Sequence, residues 1–473
     1  MTDHTPRKSP GACPEVIIVG AGLGGLTLGL LLEEAGVPYR ILERASKVKP
    51  LGSALSVGAM LMPLFRQLGV YDEVVAAGKP IGVIGMHDDH CNLLFEADLE
   101  PRRVFGGYDS FIIPRPLLYD ILYKRIPKEK ILHNKRVLTM INGERGVRVE
   151  CTDGSFYEGS ILVGADGAYS PTRQGMFKQL QRSNKLPASD GEPLPYNCIC
   201  LVGQSETLDP EEYPSLKEPK CIFNNMNSTD PEKPYCWATF TTRQNTICWM
   251  VLQYLTNSTS KEHDTFRNSE WGPEAAMSMS EQVREFPVVI GKGKISSLGD
   301  LFDRTPKDLI SKVVLEEKVF KTWYSGRTVL IGDACHKVSP TGGAGAQSAM
   351  QDALCLANWI NVLPSNTIED TERIFKEYHS ERYAVVMDAY RSSQLFAANG
   401  EKNWKGAIVR TFFNNIPRWL WLVLLRKMVQ SRPQASFLPA VQDTGSSPPI
   451  PQPSFVKTRA ILDQFAIDGV IVL

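Results

Sequence analysis

The sequence predicts an α/β protein: one parallel-sheet domain gathered from separated stretches, a second domain rich in β-structure, and a run of helices near the C-terminus. Three observations carry this expectation. Residues 15–43 alternate apolar strand, Gly-rich turn, helix and apolar strand. Two later segments, Ser160 to Gly164 and Arg327 to Gly332, repeat the short β-branched run that ends in a Gly/Asp turn. Between them the pattern changes to strands rich in aromatic and β-branched residues, which is how a half-exposed antiparallel sheet reads.

In order, Glu15 to Val19 is a buried parallel strand by its unbroken β-branched run. Glycines follow, then Leu26 to Ala35 at helical spacing, stopped by Gly36-Val37-Pro38. Tyr39 to Glu43 is the second strand. Residues 195–204 and 235–255 read as the second domain's strands, with Tyr235–Thr242 and Thr246–Leu255 paired about a turn at Arg243-Gln244-Asn245. Thr371 to Met428 reads as helix. Residues 431–455, with six prolines, read as a loosely ordered tail, and Ala460 to Leu473 is apolar enough to dock. The expected domains are 10–85, 110–175 and 325–365 for the discontinuous domain, 86–109 and 176–324 for the β-rich one, 366–430 for the helices and 431–473 for the tail and terminal segment.

Composition excludes several classes. Of 473 residues, 43% are hydrophobic, enough for a large core. Lys plus Arg and Asp plus Glu are both 52, so there is no basic excess for binding nucleic acid. Ten cysteines without a Cys-x-x-Cys read as reduced thiols. Met1 to Pro14 has no apolar core, so it does not read as a secretory signal. No run approaches the roughly 20 apolar residues of a membrane span. Trp419 to Leu425, between Arg418 and Arg426-Lys427, is too short. It reads as a buried helix of a C-terminal bundle, or else as a segment lying on a membrane surface. The expected location is cytoplasmic, with peripheral membrane contact as the variant.

Gly20-Ala21-Gly22-Leu23-Gly24-Gly25 fits G-x-G-x-x-G and stands between strand and helix. Gly20 makes the tight turn, Gly22 lets a pyrophosphate reach the backbone, and Gly25 lets helix and strand pack. Glu43, at the end of the second strand, would accept hydrogen bonds from a ribose with a free 2′-OH. The unit therefore reads as Rossmann-type and binds FAD or NAD. No second fingerprint of this kind occurs. Two further turns favour the flavin: Ala165-Asp166-Gly167 after one strand and Gly332-Asp333-Ala334-Cys335-His336 after another. A strand-end Asp beside Gly can accept from a ribityl hydroxyl. Pro340 to Gln347 then opens a helix at about Ser348, leaving free N–H groups for the pyrimidine edge of an isoalloxazine.

These three motifs, in this order, resemble the class A FAD-dependent monooxygenases, the para-hydroxybenzoate hydroxylase fold, over roughly residues 15–365. The chain looks most like the fungal natural-product branch, which epoxidises or hydroxylates isoprenoid and indole scaffolds, with salicylate-hydroxylase-like members close behind. Arg115-Pro116-Leu117-Leu118 to Leu122 matches the family's Arg-x-x-Leu-x-x-x-Leu, whose Arg contacts the flavin side. Pro50-Leu51-Gly52 looks like the loop that touches FAD. Gly343 to Gln347 keeps the flavin-loop glycines but lacks two family amides. Tyr196-Asn197 stands where the branch often has Tyr-Arg or Tyr-Lys.

The resemblance implies a flavoprotein that takes electrons from NAD(P)H and uses O2, through a flavin C4a-hydroperoxide, to hydroxylate or epoxidise an apolar aromatic or isoprenoid substrate. The expected cofactor residues are Gly20, Gly22, Gly25, Glu43, Arg44, Gly52, Arg115, Asp166, Gly167, Asp333, Gly345 and Ala346. Tyr196 is the candidate catalytic residue, and no metal site is expected. The rivals are a salicylate-type hydroxylase, a flavin oxidase or reductase on the same fold, and a non-enzymatic carrier like a GDP-dissociation inhibitor. His336 and Asp352 read as structural. Trp237, Phe240, Trp249 and Tyr254 read chiefly as core, with strand alternation sending some of them toward a pocket. Arg243 is the only arginine between Leu186 and Phe266, and it falls at a turn. This argues for an apolar substrate over a benzoate, with Arg102 and Arg103 the remaining sources of a cation.

Overall fold

The computed structural model describes residues 13–47, 54–230, 232–255, 270–271, 273–290, 295–338, 343, 345–400, 406, 408–409, 411–412 and 415–468. Two sheets organise it. The first has six strands in the order Tyr324–Ser325, Thr328–Leu330, Ile161–Gly164, Val16–Val19, Tyr39–Leu42 and Ile131–Leu132. All pair in parallel except the outermost hairpin. Parallel strands covered on both faces should be apolar throughout, and Val16, Ile17, Ile18, Ile161, Leu162 and Val163 are all wholly buried.

Helix Leu23–Glu34 starts three residues earlier than apolar spacing predicts, directly after Gly22. Periodicity marks only the buried stripe, and here helix Gly345–Asn361 packs over the glycine end. A Cβ on Gly24 would lie 3.3 Å from that of Ala349.

The second sheet is larger. Its core runs Ser311–Glu316, Tyr196–Gln204, Ile247–Tyr254, Tyr235–Thr241, Cys221–Asn227 and Lys79–Asp88. The expected hairpin is present, with Tyr235 opposite Gln253 and Asn245 in the left-handed region at the turn. Strands Phe111–Pro114 and Ala54–Val57 extend this sheet from stretches assigned to the first domain, so its hydrogen bonds run across the boundaries expected at 85/86 and 109/110.

Period-two alternation divides the large sheet's faces. Trp237, Trp249, Val251 and Leu201 pack with Met279, Leu301 and Phe302 of the helices Pro273–Val283 and Leu298–Asp303. The other face carries Cys198, Cys200, Cys236, Leu252 and Leu315, with Met250, Val202 and Tyr254 half-buried beside them. It continues into Ala238, Phe240, Ile84 and Phe223.

Helices Ile368–Gly400 and Arg418–Met428 fall in the expected helical region. The C-terminal region departs from expectation in two ways. In Arg418–Met428 only Leu425 is buried, while Trp419 is 67% exposed, so the expected buried bundle helix is instead a surface helix. The first part of the Pro-rich stretch, residues 432–438, is packed rather than loosely ordered. Ala435 and Ser436 are wholly buried, Ser436 N–H donates to Asn358 at 2.9 Å, and Arg432 is paired with Asp443. Prolines forbid regular structure here without forbidding burial, because side chains satisfy the backbone instead. Among the described residues, no helix is long and apolar enough to cross a membrane.

Candidate active site

Four separated motifs meet at the C-terminal ends of the parallel strands. Gly20 has φ +104°, and a Cβ on it would lie 2.5 Å from the carbonyl of Ala165, next to Asp166. A Cβ on Gly25 would lie 2.1 Å from the carbonyl of Gly20. A Cβ on Gly332 would lie 2.9 Å from that of Ala349, which also packs on Gly24. The fingerprint loop, the Asp-Gly turn, the Gly-Asp turn and the helix of the last glycine loop are therefore in mutual contact.

Other glycines in the same motifs face open space. Nothing lies within 4 Å of a Cβ built on Gly22, Gly167 or Gly345. No side chain caps the helix that starts at Gly22, and neither that helix nor Gly345–Asn361 has an acid in its first turn. Both N-termini thus offer positive ends to an anion. The second of these helices begins at Gly345, not near Ser348 as expected, which puts Gly345 and Ala346 in the turn whose N–H groups lack helical partners.

The carboxylates are held firmly. Glu43 is 9% exposed and accepts from Ala21 N–H at 2.9 Å through Oε2 and from Ala45 N–H at 2.8 Å through Oε1. Each oxygen keeps a further lone pair. Asp166 accepts through Oδ2 from the N–H and hydroxyl of Thr172, while its Oδ1 is sealed from solvent without a partner. Burial pushes the Asp166 carboxyl above its usual range, against the pull of Ser170 and Thr172. Asp333 is exposed on the one-turn helix Gly332–Ala334. Arg44 and Arg115 are exposed as well, Arg115 at the start of helix Arg115–Tyr123. Gly52 lies outside the described residues.

Behind the Gly-Asp turn sits a buried ion network. Asp352, wholly buried, accepts from His336 at 2.5 Å, from Arg382 at 2.7 Å and from Gly332 N–H at 2.9 Å. Burial would raise its carboxyl, but His336 and Arg382 hold it down at about 2. Cys335 is the third member of this cluster, and all three residues are buried. With Asp352 occupied in this way, its geometry is that of a strut for the turn.

Two residues escaped the sequence reading. Arg173 is 5% exposed; it donates to Ala334 O at 2.9 Å and to Ala168 O at 2.6 Å, tying the Gly-Asp turn to the Asp-Gly turn. Its only signal in the sequence is a cation three residues after Ser170, which caps its own N–H at 2.8 Å. The second is buried Glu316, which takes the Tyr169 hydroxyl and the Lys337 ammonium. Tyr196 opens strand Tyr196–Gln204 opposite Glu316, so the candidate catalytic residue is beside this cluster. Arg243 is spent on Gly78 O at 2.8 Å.

An α/β half with this loop set, joined to a large, mainly antiparallel sheet, defines the class A flavoprotein monooxygenases. A family profile described as FAD binding domain matches residues 14–188 and 285–393, more than half of the chain. The chain belongs to that family. Similar curated proteins include the FAD-dependent monooxygenase ausM of Emericella nidulans, 29% identical over 469 residues, spanning 94% of this chain and 90% of that protein. Another is the FAD-dependent monooxygenase paxM of Penicillium paxilli, 28% identical over 397 residues, spanning 80% and 78%. Among solved structures, Klebsiella pneumoniae HpxO complexed with FAD and uric acid aligns with TM-score 0.68 at 16% identity, covering 89% of this chain and 97% of that one. FqzB aligns with TM-score 0.68 at 18% identity, covering 98% and 96%. At these identities the structural likeness is one of fold. The protein is an FAD-dependent monooxygenase.

Proposed function

We propose that the enzyme hydroxylates or epoxidises a largely apolar multi-ring or prenylated molecule bound against the face of the large sheet opposite helices Pro273–Val283 and Leu298–Asp303. The observation that carries this is the face itself. Cys198, Cys200, Cys236, Leu252 and Leu315 form one apolar wall, edged by half-buried Met250, Val202 and Tyr254. The thiols there add no charge, because burial raises Cys198 and Cys200 well above their ordinary values. A benzoate buried against such a wall would need a cation to offset its desolvation, and the strand-turn Arg243 is already committed to a carbonyl.

FAD, when bound, supplies electron transfer from NAD(P)H and the activation of O2. In our reading the chain's own residues hold and orient it. Gly22 leaves room for the pyrophosphate at a helix N-terminus, Glu43 accepts from ribose hydroxyls, and Asp333 accepts from the ribityl chain. Gly345 and Ala346 donate N–H groups to the pyrimidine edge. Gly20 and Gly25 would set the loop, Arg44 and Arg115 would help hold the cofactor, and Asp166 with Gly167 would serve the flavin. The apolar wall excludes water from the reacting end. Tyr196, beside the Tyr169–Glu316–Lys337 cluster, is the candidate for handling a proton.

The test is NAD(P)H oxidation and product mass over two panels, prenylated indoles or terpenoids and salicylate-type acids. A product heavier by one oxygen from the apolar panel supports the reading. Coupled hydroxylation of simple benzoates, with no turnover of the apolar panel, overturns it.

Peripheral membrane contact is a second element of this proposal. Helix Arg418–Met428 exposes Trp419, Val423 and Met428 together with Arg418, Arg426 and Lys427, and its sequence contains no acid. Cosedimentation with anionic vesicles that disappears in Trp419→Ser/Val423→Ser supports it, and equal sedimentation of the variant removes it.

A further inference from the structure

We propose that Arg102 is a substrate anchor, a partly buried arginine without a protein partner among the described residues that binds an anionic oxygen (carboxylate, phenolate or enolate) on an otherwise apolar substrate. This rests on the reading that such a substrate lies against the sheet, and it adds one charged end to that molecule.

Arg102 lies on helix Pro101–Gly106. The outward side of that helix is marked by Arg103, with 68% of its side chain exposed, and by Val104 at 62%. At about 100° per residue, Arg102 falls between Phe105 and Gly106 on the opposite side. That side is apolar. Phe105 packs with Leu99, Ile112, Phe240 and Leu425, and Gly106 lies against Ala59 and Val429.

No described residue satisfies the guanidinium. Its Nε is sealed from solvent without a hydrogen bond. The nearest charged residues on the helix are already paired, Glu100 with Lys220 and Arg103 with Asp109. Burial alone pushes Arg102 down to about 10, so it remains a cation at neutral pH. The deeply buried arginines differ: Arg173, Arg327, Arg382 and Arg432 each donate several hydrogen bonds. A guanidinium nitrogen sealed from water without an acceptor is costly to the fold. Uncompensated cost of this kind marks binding sites, where a ligand supplies the missing partner.

The position also fits. Strand Ala54–Val57 joins the two regions: Ala54 packs in the cluster beside Arg102's helix, and Ser56 Cβ is 3.9 Å from where a Cβ on Gly343 of the flavin loop would lie. Arg102 as a whole is only partly buried, so a ligand can reach it.

The experiment compares 4-phenylbenzoate with its methyl ester on the FAD-loaded full-length enzyme, read by perturbation of the flavin absorbance. Wild type is expected to bind the acid about tenfold or more tighter than the ester, the worth of a charge-assisted contact. Arg102→Met is expected to equalise the two, with ester affinity and FAD content unchanged and the ligand-free melting temperature no lower. A structural arginine would instead lower the melting temperature. Arg102→Gln repeats the comparison if the methionine variant does not fold. An acid that binds wild type no tighter than its ester, or an acid preference that survives in the variants, overturns the proposal. So does a fall in ligand-free stability with the acid preference intact. Apolar compounds turned over equally by wild type and Arg102→Met would remove the anchor and leave the substrate reading standing. Arg102-dependent acid binding without turnover of any apolar compound would do the reverse.

Discussion

Alanine at Gly22 and at Gly25 should have opposite consequences, although the two glycines are three residues apart in one loop. Gly22 has φ −73° and ψ 178°, which any L-residue adopts, and nothing lies within 4 Å of its added Cβ. Gly22→Ala should therefore fold normally. Loss of unfolded-state entropy should stabilise the FAD-free protein by about 0.4–1 kcal/mol. The methyl then occupies the space where the pyrophosphate meets the helix end. An overpacking cost of about 1–3 kcal/mol translates into FAD affinity roughly 5- to 150-fold weaker. At Gly25 the added Cβ would lie 2.1 Å from a backbone carbonyl, that of Gly20, which cannot rotate away. Gly25→Ala should cost about 3 kcal/mol or more before any ligand is present. The assay is paired: melting temperature of FAD-stripped protein, and FAD affinity by quenching of flavin fluorescence. Gly22→Ala that destabilises the stripped protein, or that keeps wild-type FAD affinity, would refute the assignment of that space to the pyrophosphate. A stable Gly25→Ala would refute the packing argument.

Three further outcomes follow from the site. Asp333→Ala should weaken FAD about tenfold to a hundredfold by removing a charge-assisted acceptor while leaving the melting temperature of stripped protein unchanged, because this carboxylate is exposed. Arg173→Lys should lower both FAD affinity and stability, since an ammonium cannot span the carbonyls of Ala334 and Ala168 that the guanidinium bridges; retained affinity at wild-type level would show that the two turns hold their spacing unaided. Asp352, with its carboxyl depressed to about 2 from 3.8, contributes stability that is present above the unfolded value and lost as pH falls through the folded one. Wild type should therefore lose stability between about pH 4 and pH 2, and Asp352→Asn should be unstable at neutral pH with a flatter acid limb. Identical limbs in acid titrations followed by circular dichroism would exclude the His336–Asp352–Arg382 network as a source of that slope.

Much of the flavin half was legible because its signals are local. A β-α-β unit must bury β-branched strands, turn on glycine and end its second strand in a carboxylate, and residues 16–43 write those needs in consecutive positions. The hairpin at Arg243-Gln244-Asn245 was legible for the same reason. What misled was evidence averaged over composition. Prolines at 433, 439 and 448 pointed to a loose tail, yet Ser436 is buried against Asn358 through one specific hydrogen bond. The apolar run at Trp419 pointed to a buried helix, yet Leu425 is the only residue of that helix that is buried.

From the sequence alone came the dinucleotide loop, the flavin turns and the resemblance to class A monooxygenases, because each is a constraint on neighbouring residues. Tertiary structure alone decided which glycines face open space and which face backbone, since the spacing of Gly20, Gly22 and Gly25 is silent about what stands opposite them. It also brought together Arg173 with Ala334, Asp352 with Gly332, and Tyr169 with Glu316 and Lys337, pairs separated by up to 161 residues. And it distinguished Arg102 from Arg103: adjacent in sequence and identical in chemistry, one is turned by the helix against apolar residues with its Nε sealed and unpartnered, and the other out to Asp109. The physical reason is common to all three cases. Whether a polar group is satisfied or a space is filled depends on atoms brought in by other segments, and only the folded chain determines which segments those are.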